Sequence, residues 1–434
     1  MRPTRRLLWV ALAWLLLGVA AAWQPELANA WAGFGLALLA LAAWDWLGVR
    51  RQPLPAAERD APGSLALGVA REIGVRLAND GAVALNGFVF DHHPQPVEAE
   101  GLPQRLRVPA GGWTRFAYRL RPLARGDHEF GRVEYLRRSP LGLWLKRGYA
   151  GEPQTVRVFP NFAAVARYAL LATDHRLSQA GIRKRRRRGE GMEFHQLRDY
   201  RVGDSLRQVD WKATSRQGRL ISREYQDERD QQVVFLIDCG RRMLAKDGEL
   251  SHFDHCLNAS LLLAHVALGQ GDAVGLMTFG GHDRRVPPLK GGASLNVLLR
   301  AVYGLQPTLA SPDFLGAAGE LMKHVRKRSL VVIVTNLRDE DEPEIVAALA
   351  MLSRRHLVLL ASLRERVIGD ALNRPVESFD DALTVAATHD YLLRRRKIHD
   401  LIARQGVLSA DVEPDRLPVT VVNRYLDIKR SGRL

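Results

Sequence analysis

The sequence predicts a membrane-anchored chain with three structured parts: an N-terminal transmembrane α-hairpin, a small all-β sandwich-like module, and an α/β domain with a doubly wound sheet. Three observations predict this order. Two long apolar runs open the chain, short strands separated by turn residues follow, and apolar strands alternate with helical segments in the second half. The expected boundaries are residues 1–51, 64–160 and 231–434, and residues 161–230 form a linker with a distinctive charged stretch.

The apolar runs Leu7–Trp23 and Ala30–Val49 are each long enough to cross a bilayer once. The segment between them has no lysine or arginine, whereas arginines precede the first run, and Arg50 and Arg51 follow the second. Under the positive-inside rule both ends of the pair face the cytoplasm. We therefore expect a multi-pass protein of the inner membrane with its soluble domains in the cytoplasm. Asp45 lies near the inner end, where it is expected to reach lipid headgroups rather than relay protons.

A second interpretation of the first run is a cleaved signal peptide, because Ala28-Asn29-Ala30 has the form of a signal-peptidase site. The first apolar run is long for a signal peptide, and the second follows it at once, so an uncleaved hairpin is favoured. Cleavage would still leave the two arginines after the second run to hold the soluble part inside.

The middle of the chain reads as short strands separated by turn signals such as Asn79-Asp80-Gly81 and Gly111-Gly112. One of these strands is expected at Glu129–Arg137. A Pro/Ala-rich linker at residues 52–60 separates the strands from the hairpin. The regular spacing of the short strands favours a small β-sandwich.

Positive charge is the main compositional clue to partners. The net charge is +16, and six consecutive cations lie at Arg183–Arg188. Such a run is expected in an exposed loop, either as a solvated connection or as a contact for anionic lipid headgroups or an acidic partner. Nucleic acid is disfavoured, because no aromatic residues interleave the run and no recognition fold accompanies it. The two cysteines exclude a disulfide-rich secreted scaffold.

The stretch Gly191–Asp227 is dense in Arg, Asp, Gly and aromatic residues. Gly203 and Asp204 read as a turn in which the Asp204 carboxylate caps a helix at Ser205–Arg216. Gly218 suits the left-handed position past the end of that helix. The spacing therefore predicts a rigid, charged turn followed by a short helix.

Two side-chain interactions are expected on this helix. Arg207 and Asp210 lie three residues apart and can form an ion pair, and Trp211 offers its indole face to a guanidinium. Nothing in the stretch resembles a nucleophile with its base. The stretch is expected to brace the β-module against the sheet of the α/β domain or simply to fold that domain, and a docking surface for a partner is the alternative.

The same stretch closely resembles the signature of the bacterial family called domain of unknown function 58, G-x-E-F-x-x-L-R-D-Y-x-x-G-D-x-x-R-x-x-D-W-K-A-x-S-R-x-G-x-L. The resemblance implies a von Willebrand factor A-like domain on a membrane anchor, with a MoxR-type AAA+ ATPase as partner, because members are often encoded beside such ATPases. It implies no biochemical activity. The candidate docking residues are Glu193, Arg198, Tyr200, Gly203, Asp204, Arg207, Asp210, Trp211, Lys212 and Arg216.

The von Willebrand resemblance also implies a metal site at the carboxyl edge of the sheet, built from D-x-S-x-S, a Thr and an Asp. Here the first motif reads D-C-G-R-R from Asp238 to Arg242, so both serines are absent, and the later acid is replaced by Asn336. The degenerate positions are Asp238, Gly240, Arg242 and Asn336. Because hydroxyl and carboxylate ligands are lost and a cation is gained, we expect no tight metal binding and no cofactor.

Arg242 stands where the second serine of that motif would be. It is expected either to pair with Asp238 in place of a metal or to point to solvent while Asp238 caps the following turn. The sequence contains no H-E-x-x-H, G-x-S-x-G or P-loop motif. We therefore expect an interaction or assembly protein and not an enzyme. The alternative is a basic binder of anionic lipid or nucleic acid, and a metal-dependent enzyme is the third hypothesis.

Overall fold

A computed structural model of the chain describes residues 1–161, 193–201, 209–226 and 231–433, with the backbone alone at 193–196 and 224–226. Two compact units make up the chain, Met1–Phe159 and Pro160–Leu434. The predicted features that lie outside the described residues are the basic run Arg183–Arg188 and the site residues Gly203, Asp204 and Arg207.

Unit 1 opens with two apolar helices, α1 (Arg5–Trp23) and α2 (Ala28–Arg50). Both are long and apolar enough to cross a membrane. They pack closely because each presents a glycine to a tryptophan of the other. A Cβ atom on Gly35 would lie 2.6 Å from Trp14 Nε1, and one on Gly18 would lie 2.7 Å from Trp31 Nε1. The two indole rings stack with centroids 5.4 Å apart. Small residues at a helix contact allow this close approach.

The rest of unit 1 is the expected β-rich region, but the expectation of a linker at residues 52–60 is wrong, because residues 56–60 form a strand that pairs within it. Its strands are β1 (Arg2–Pro3), β2 (Ala56–Asp60), β3 (Ser64–Ala66), β4 (Arg71–Asn79), β5 (Leu85–Asp91), β6 (Val97–Glu100), β7 (Gln104–Val108), β8 (Gly112–Pro122), β9 (Gly126–Phe130), β10 (Val133–Arg138), β11 (Trp144–Ala150) and β12 (Gln154–Phe159). They form sheets of order β1-β11-β10-β5-β7, β2-β4-β8-β6 and β3-β12-β9.

A buried carboxylate joins the two larger sheets. Asp91, at the end of β5, accepts hydrogen bonds from Arg59 Nε on β2 at 2.9 Å and from the Tyr118 hydroxyl on β8 at 2.7 Å. Burial, followed by the adjacent Asp91 charge, raises the pKa of Tyr118. The phenol therefore stays protonated and remains a hydrogen-bond donor between the sheets.

The single strand predicted at Glu129–Arg137 is wrong. The chain forms two strands there, β9 and β10, which belong to different sheets. The break falls at Gly131, whose N–H donates to the His92 carbonyl at 2.7 Å. A Cβ atom at Gly131 would lie 3.0 Å from His92 Cβ. The absent side chain thus leaves room for the chain to pass from one sheet to the other.

Asp45 does not reach out toward headgroups as expected, because it is fully buried. Its carboxylate accepts hydrogen bonds from Ser139 Oγ at 2.5 Å, from the Leu141 N–H at 2.9 Å and from the Leu143 N–H at 3.2 Å. These donors belong to the loop between β10 and β11. The carboxylate near the end of α2 therefore fixes a loop of the β-rich region.

Unit 2 contains a six-stranded sheet of order β19-β18-β15-β20-β21-β22. The described strands of unit 2 as a whole are β13 (Glu193–Asp199), β14 (Ile221–Gln226), β15 (Gln232–Asp238), β16 (Lys246–Asp247), β17 (Leu250–Ser251), β18 (Ala273–Phe279), β19 (Arg285–Leu289), β20 (Leu330–Thr335), β21 (Leu357–Leu363) and β22 (Leu408–Val412). Its described helices are α3 (Trp211–Gln217), α4 (His252–Gly269), α5 (Ala293–Val302), α6 (Phe314–His324), α7 (Glu342–Ser353), α8 (Arg366–Asn373), α9 (Phe379–Arg404) and α10 (Leu417–Arg430).

The sheet of unit 2 carries helices on both faces, as the alternation of strands and helices predicts. Side chains of β15 alternate between two cores. Val233 and Phe235 pack with α4, α5 and α10, whereas Val234 and Leu236 pack with α6, α7 and α9. β18, β15, β20, β21 and β22 run parallel, and β19 lies antiparallel at one edge. This arrangement brings the ends of β15, β20 and β21 to one edge of the sheet.

Candidate functional site

The signature stretch forms a small unit in which β13 and β14 pair antiparallel and α3 lies between them along the chain. The predicted helix start is wrong at Val209 and Asp210: Val209 forms an isolated bridge with Ser222, and Asp210 has an extended backbone. The described helix begins at Trp211, and Asp210 is its cap. Its Oδ1 accepts a hydrogen bond from the Ala213 N–H at 3.0 Å. Asp210 thus has the capping role predicted for Asp204.

The far end of α3 follows the prediction. Gly218 is left-handed, with φ 66°, and its N–H donates to the Thr214 carbonyl at 2.9 Å. The Thr214 hydroxyl then accepts a hydrogen bond from the Ile221 N–H at 3.0 Å. Both ends of the helix are therefore tied, the first by a side chain and the second by glycine and Thr214.

An ion pair attaches the start of α3 to β14. Arg223 Nε donates to Asp210 Oδ2 at 2.9 Å. The Ala213 N–H, followed by the Arg223 guanidinium, lowers the pKa of Asp210. Asp210 therefore pairs with Arg223, a residue that the sequence did not suggest because it is distant along the chain. The predicted partner, Arg207, is outside the described residues.

Three of the six candidate docking residues whose side chains are described are exposed. Trp211 is 65% exposed, and Lys212 and Arg216 are also exposed. Arg198 and Tyr200 are partly buried, and Glu193 lies on β13 opposite Gln226. Trp211 is therefore not a buried residue. A large exposed aromatic ring on a helix tied at both ends, next to Lys212, has the character of an interface residue.

The carboxyl edge of the sheet holds the predicted degenerate positions. Asp238 ends β15 and is fully buried. Its Oδ1 accepts a hydrogen bond from the Gly240 N–H at 2.7 Å, and its Oδ2 accepts one from the Thr335 hydroxyl at 2.7 Å. Burial raises the pKa of Asp238, while these two hydrogen bonds oppose the shift. Both carboxylate oxygens therefore have protein partners.

Both expectations for the Arg242 side chain are wrong, whereas the expected capping of the following turn by Asp238 is confirmed by its hydrogen bond from the Gly240 N–H. The Arg242 guanidinium bonds to Asp341 and Glu340, and only 7% of its side chain is exposed. It therefore neither pairs directly with Asp238 nor points to solvent. Burial alone would lower the pKa of Arg242, but the Asp341 and Glu340 carboxylates outweigh it, and the net shift is upward. Arg242 has these partners because the acidic turn after β20 places two carboxylates within reach of its guanidinium.

Asn336 follows β20 and is also fully buried. Its Nδ2 donates to Glu365 Oε1 at 2.7 Å, and Arg338 Nη2 donates to the same oxygen at 2.9 Å. Nδ2 also lies 3.4 Å from Nδ1 of the buried His252, whose Nε2 is 2.8 Å from Asp247 Oδ2. Sequence reasoning missed Glu365 and His252, since they follow β21 and open α4, far along the chain from the motif positions.

The carboxylates at this edge are engaged by protein groups. Both oxygens of Asp238 accept protein hydrogen bonds, and Arg242 neutralises the neighbouring Asp341. Within the part of the chain that the structure describes, no three His, Cys, Asp or Glu side chains are grouped closely enough to hold a metal. The guanidinium supplies the positive charge that the buried carboxylates require.

Comparison with known proteins supports the resemblance. Residues 196–396 match the family model described as "Protein of unknown function DUF58". The uncharacterized protein YeaD of Bacillus subtilis (strain 168) is 23% identical over 233 residues, which are 52% of this chain and 54% of YeaD. The match therefore spans about half the length of that relative. The uncharacterized protein Rv1480 of Mycobacterium tuberculosis (strain ATCC 25618 / H37Rv) is 24% identical over 266 residues, 57% of this chain and 82% of Rv1480.

Among solved structures, an aerotolerance-related membrane protein from Bacteroides fragilis NCTC 9343 is similar to this chain at 16% sequence identity and a TM-score of 0.30. The similarity covers 45% of this chain and 98% of that one. The resemblance drawn from the signature stretch is confirmed by the family model, which covers most of that stretch and continues to α9, ending before β22. Over residues 196–396, this chain is similar to the DUF58 family.

Proposed function

We propose that this chain is a membrane-anchored interaction protein that takes part in the assembly of other proteins. In this proposal unit 2 binds a protein partner at the cytoplasmic face of the inner membrane. The proposed partner is an AAA+ ATPase of the MoxR type, which the family resemblance implies. The proposed role is binding and positioning, without a catalytic step or a cofactor.

The proposal includes a von Willebrand factor A-like identity for unit 2. Five parallel strands with helices on both faces support it, as does the position of Asp238 beside Thr335 at the ends of neighbouring strands. Doubly wound sheets bind ligands at this edge. Because Arg242 already neutralises the acidic turn there, the edge is suited to contact a protein without a bridging metal.

The observation that carries the proposal is the exposure of Trp211 on a helix with both ends tied. The indole is 65% exposed, while the Asp210 cap and the Arg223 ion pair fix the backbone beneath it. Fixing the contact residue before binding reduces the entropy lost on association. Exposed tryptophan and arginine side chains are the residue types that contribute most to protein interfaces.

Binding of the purified full chain to the MoxR-type ATPase of the same organism tests this proposal. We expect Trp211→Ala to weaken binding at least about tenfold, as for a residue central to an interface. Trp113→Ala is the matched control, because Trp113 lies in unit 1 and is 55% exposed. Equal affinities of the unaltered chain and the Trp211 variant, or no binding by either, would refute the proposed docking role.

The proposed topology places both ends of the helix pair in the cytoplasm. It is supported by the two apolar helices and by the arginines that flank them. A reporter fused after Leu434 is expected to show cytoplasmic activity, and the intact amino terminus is expected to remain on the mature protein. Periplasmic activity of the reporter would reverse the orientation.

The competing candidate is a basic surface that binds anionic lipid or nucleic acid. The net charge of +16 favours it. Binding of this kind would weaken steeply with added salt and would be lost when Arg183–Arg188 are neutralised. Binding to the ATPase that is unaffected by this neutralisation would favour the docking proposal.

A further inference from the structure

The loop between β10 and β11, Ser139–Leu143, is apolar although it lies at the surface of unit 1. Its sequence is S-P-L-G-L, and Trp144 follows it at the start of β11. Leu141 is 42% exposed. A surface loop that joins two strands is normally polar, because its backbone and side chains face water. This composition indicates contact with an apolar phase.

Hydrogen bonds fix the loop against α2. Asp45 accepts from Ser139 Oγ, and its carboxylate also accepts the N–H groups of Leu141 and Leu143. Trp144 Nε1 donates to the carbonyl of Ala42 at 2.9 Å. A carbonyl inside a helix can accept this second bond because its oxygen has two lone pairs. The loop is therefore held beside α2 over the turn from Ala42 to Asp45.

The amino terminus holds the loop from its other side. The Thr4 N–H donates to the Leu143 carbonyl at 2.9 Å, and the Thr4 hydroxyl donates to the Gly142 carbonyl at 2.7 Å. Strand β1 pairs with β11 through Pro3 and Trp144. The loop is thus bonded both to the start of α1 and to the final third of α2, and it cannot move away from the helix pair without breaking these bonds.

The depth of the loop follows from its position along α2. Ala42 lies eight residues before the helix end at Arg50, about 12 Å along the axis at roughly 1.5 Å per residue. The same part of α2 exposes Leu41, Trp44 and Leu47 on its free faces. If α2 spans the membrane, these side chains lie in lipid, and the loop lies at the same depth.

Cations surround the loop where headgroups would lie. Arg6 Nη1 would be 3.3 Å from a Cβ atom on Gly142, so this guanidinium lies against the loop. Arg138 precedes the loop and is exposed, and Arg50 at the end of α2 is also exposed. Long cationic side chains at this level can reach phosphate groups while the chain below them remains in the apolar phase.

We infer that the loop Pro140–Leu143 inserts into the bilayer leaflet at which α1 begins and α2 ends, as a third membrane contact of unit 1. Its partner is the boundary between acyl chains and headgroups, with Leu141 toward the acyl chains. The inference rests on the part of the proposed function in which the helix pair spans the membrane. It also gives the buried Asp45 a role: the carboxylate satisfies the loop's donors, so the polar backbone of the loop can enter lipid.

Fluorescence quenching on the full chain in liposomes of phosphatidylcholine and phosphatidylglycerol tests the inference. A Leu141→Cys variant is labelled with an NBD fluorophore, and Leu39→Cys and Tyr149→Cys are labelled in parallel. The native Cys239 and Cys256 are fully buried and remain unlabelled in the folded chain. Leu39 is 68% exposed in the middle of α2, and Tyr149 is 45% exposed on β11, away from the loop.

We expect the label at Leu141 to be quenched several-fold more by lipid-borne doxyl groups near the headgroups than by iodide in water. The label at Tyr149 is expected to show the reverse. If the label at Leu141 is quenched like the label at Tyr149, while the label at Leu39 is still quenched by doxyl groups, the inferred insertion of the loop is overturned. The spanning of the membrane by the helices would stand in that case. Absence of doxyl quenching at Leu39 would overturn the spanning helix pair and the inference together.

Discussion

Arg242 is bonded to Asp341 and not to Asp238, although all three residues lie at the same edge of the sheet. Asp238 has both oxygens occupied by Gly240 and Thr335. The guanidinium is instead held by the acidic turn after β20. A cation therefore balances the acidic edge without contacting the carboxylate that a von Willebrand metal site would use first.

Removing this guanidinium should destabilise unit 2. Arg242→Ser leaves Asp341, which has a side chain only 10% exposed, without its cation. We expect the free energy of unfolding to fall by about 3–5 kcal/mol, because breaking a buried pair leaves one charge uncompensated. Denaturant unfolding of the detergent-solubilised chain measures this. Arg241→Ser is the control: its side chain is 55% exposed and lies 3.9 Å from Glu340.

The same pair of variants tests the metal hypothesis. Titration calorimetry with Mg²⁺ and Mn²⁺ is expected to give no tight binding to the unaltered chain and weak binding to the Arg242 variant, in which the carboxylates are freed. The Arg241 variant is expected to match the unaltered chain in both stability and metal binding. Tight, stoichiometric metal binding before any substitution would contradict the role given to Arg242.

Asp210 should stabilise the signature unit in a pH-dependent way. Its pKa is lowered by the Ala213 N–H and then by Arg223. A carboxyl group with a lowered pKa in the folded state contributes stability above its unfolded pKa, about 3.9, and loses that contribution as pH falls through the folded value. Asp210→Asn keeps a capping side chain but removes the charge, whereas Asp210→Ala removes both.

Thermal unfolding at pH 7 should therefore give the highest melting temperature for the unaltered chain, a lower one for Asp210→Asn and the lowest for Asp210→Ala. The difference between Asp210 and the Asn variant should shrink as the pH falls below about 4, while the Ala variant stays below the Asn variant. A difference between Asp210 and Asn that is unchanged by pH would contradict the ion pair with Arg223.

The sequence predicted most of what depends on local pattern. The apolar run Val233–Ile237 indicates the buried strand β15, and Gly218 marks the helix end because a left-handed position there favours glycine. β19 has no such local signal, because R-V-P-P-L contains two prolines. It is an edge strand with an antiparallel partner on one side alone, and proline is tolerated at such an edge.

What the sequence could not predict depends on partners far along the chain. Asp204 and Asp210 both precede possible helices, and the bridge between Val209 and Ser222 excludes a helix that runs continuously through Val209 and Asp210. The partners of Asp45 lie in a loop that is 94 or more residues away. No periodicity or local motif connects such residues, so these contacts became visible only in the folded chain.

Trp211 should contribute little to stability. Because its side chain is 65% exposed, Trp211→Ala is expected to change the free energy of unfolding by less than about 0.5 kcal/mol. Phe235→Ala, in the buried face of β15, should cost about 3–5 kcal/mol in the same measurement. If Trp211→Ala lowers the free energy of unfolding as much as Phe235→Ala does, a bracing role for Trp211 would be favoured over the docking proposal.

The close packing of α1 and α2 should depend on Gly35 and not on Gly33, although both lie on α2. A Cβ atom at Gly35 would lie 2.6 Å from Trp14 Nε1, whereas one at Gly33 would meet nothing within 4 Å. Gly35→Ala should therefore displace the Trp14 indole and break its hydrogen bond to the Trp31 carbonyl, now 3.1 Å long. Overpacking of this kind costs about 1–3 kcal/mol.

Gly33→Ala should be neutral or stabilising by up to about 1 kcal/mol, because alanine favours the helix. Near-ultraviolet circular dichroism gives a second measure, since the stacked rings of Trp14 and Trp31 should couple in the unaltered chain and in the Gly33 variant. In the Gly35 variant this signal should weaken and the melting temperature in nanodiscs should fall. Equal effects of the two alanine substitutions would show that the helices do not meet at Gly35.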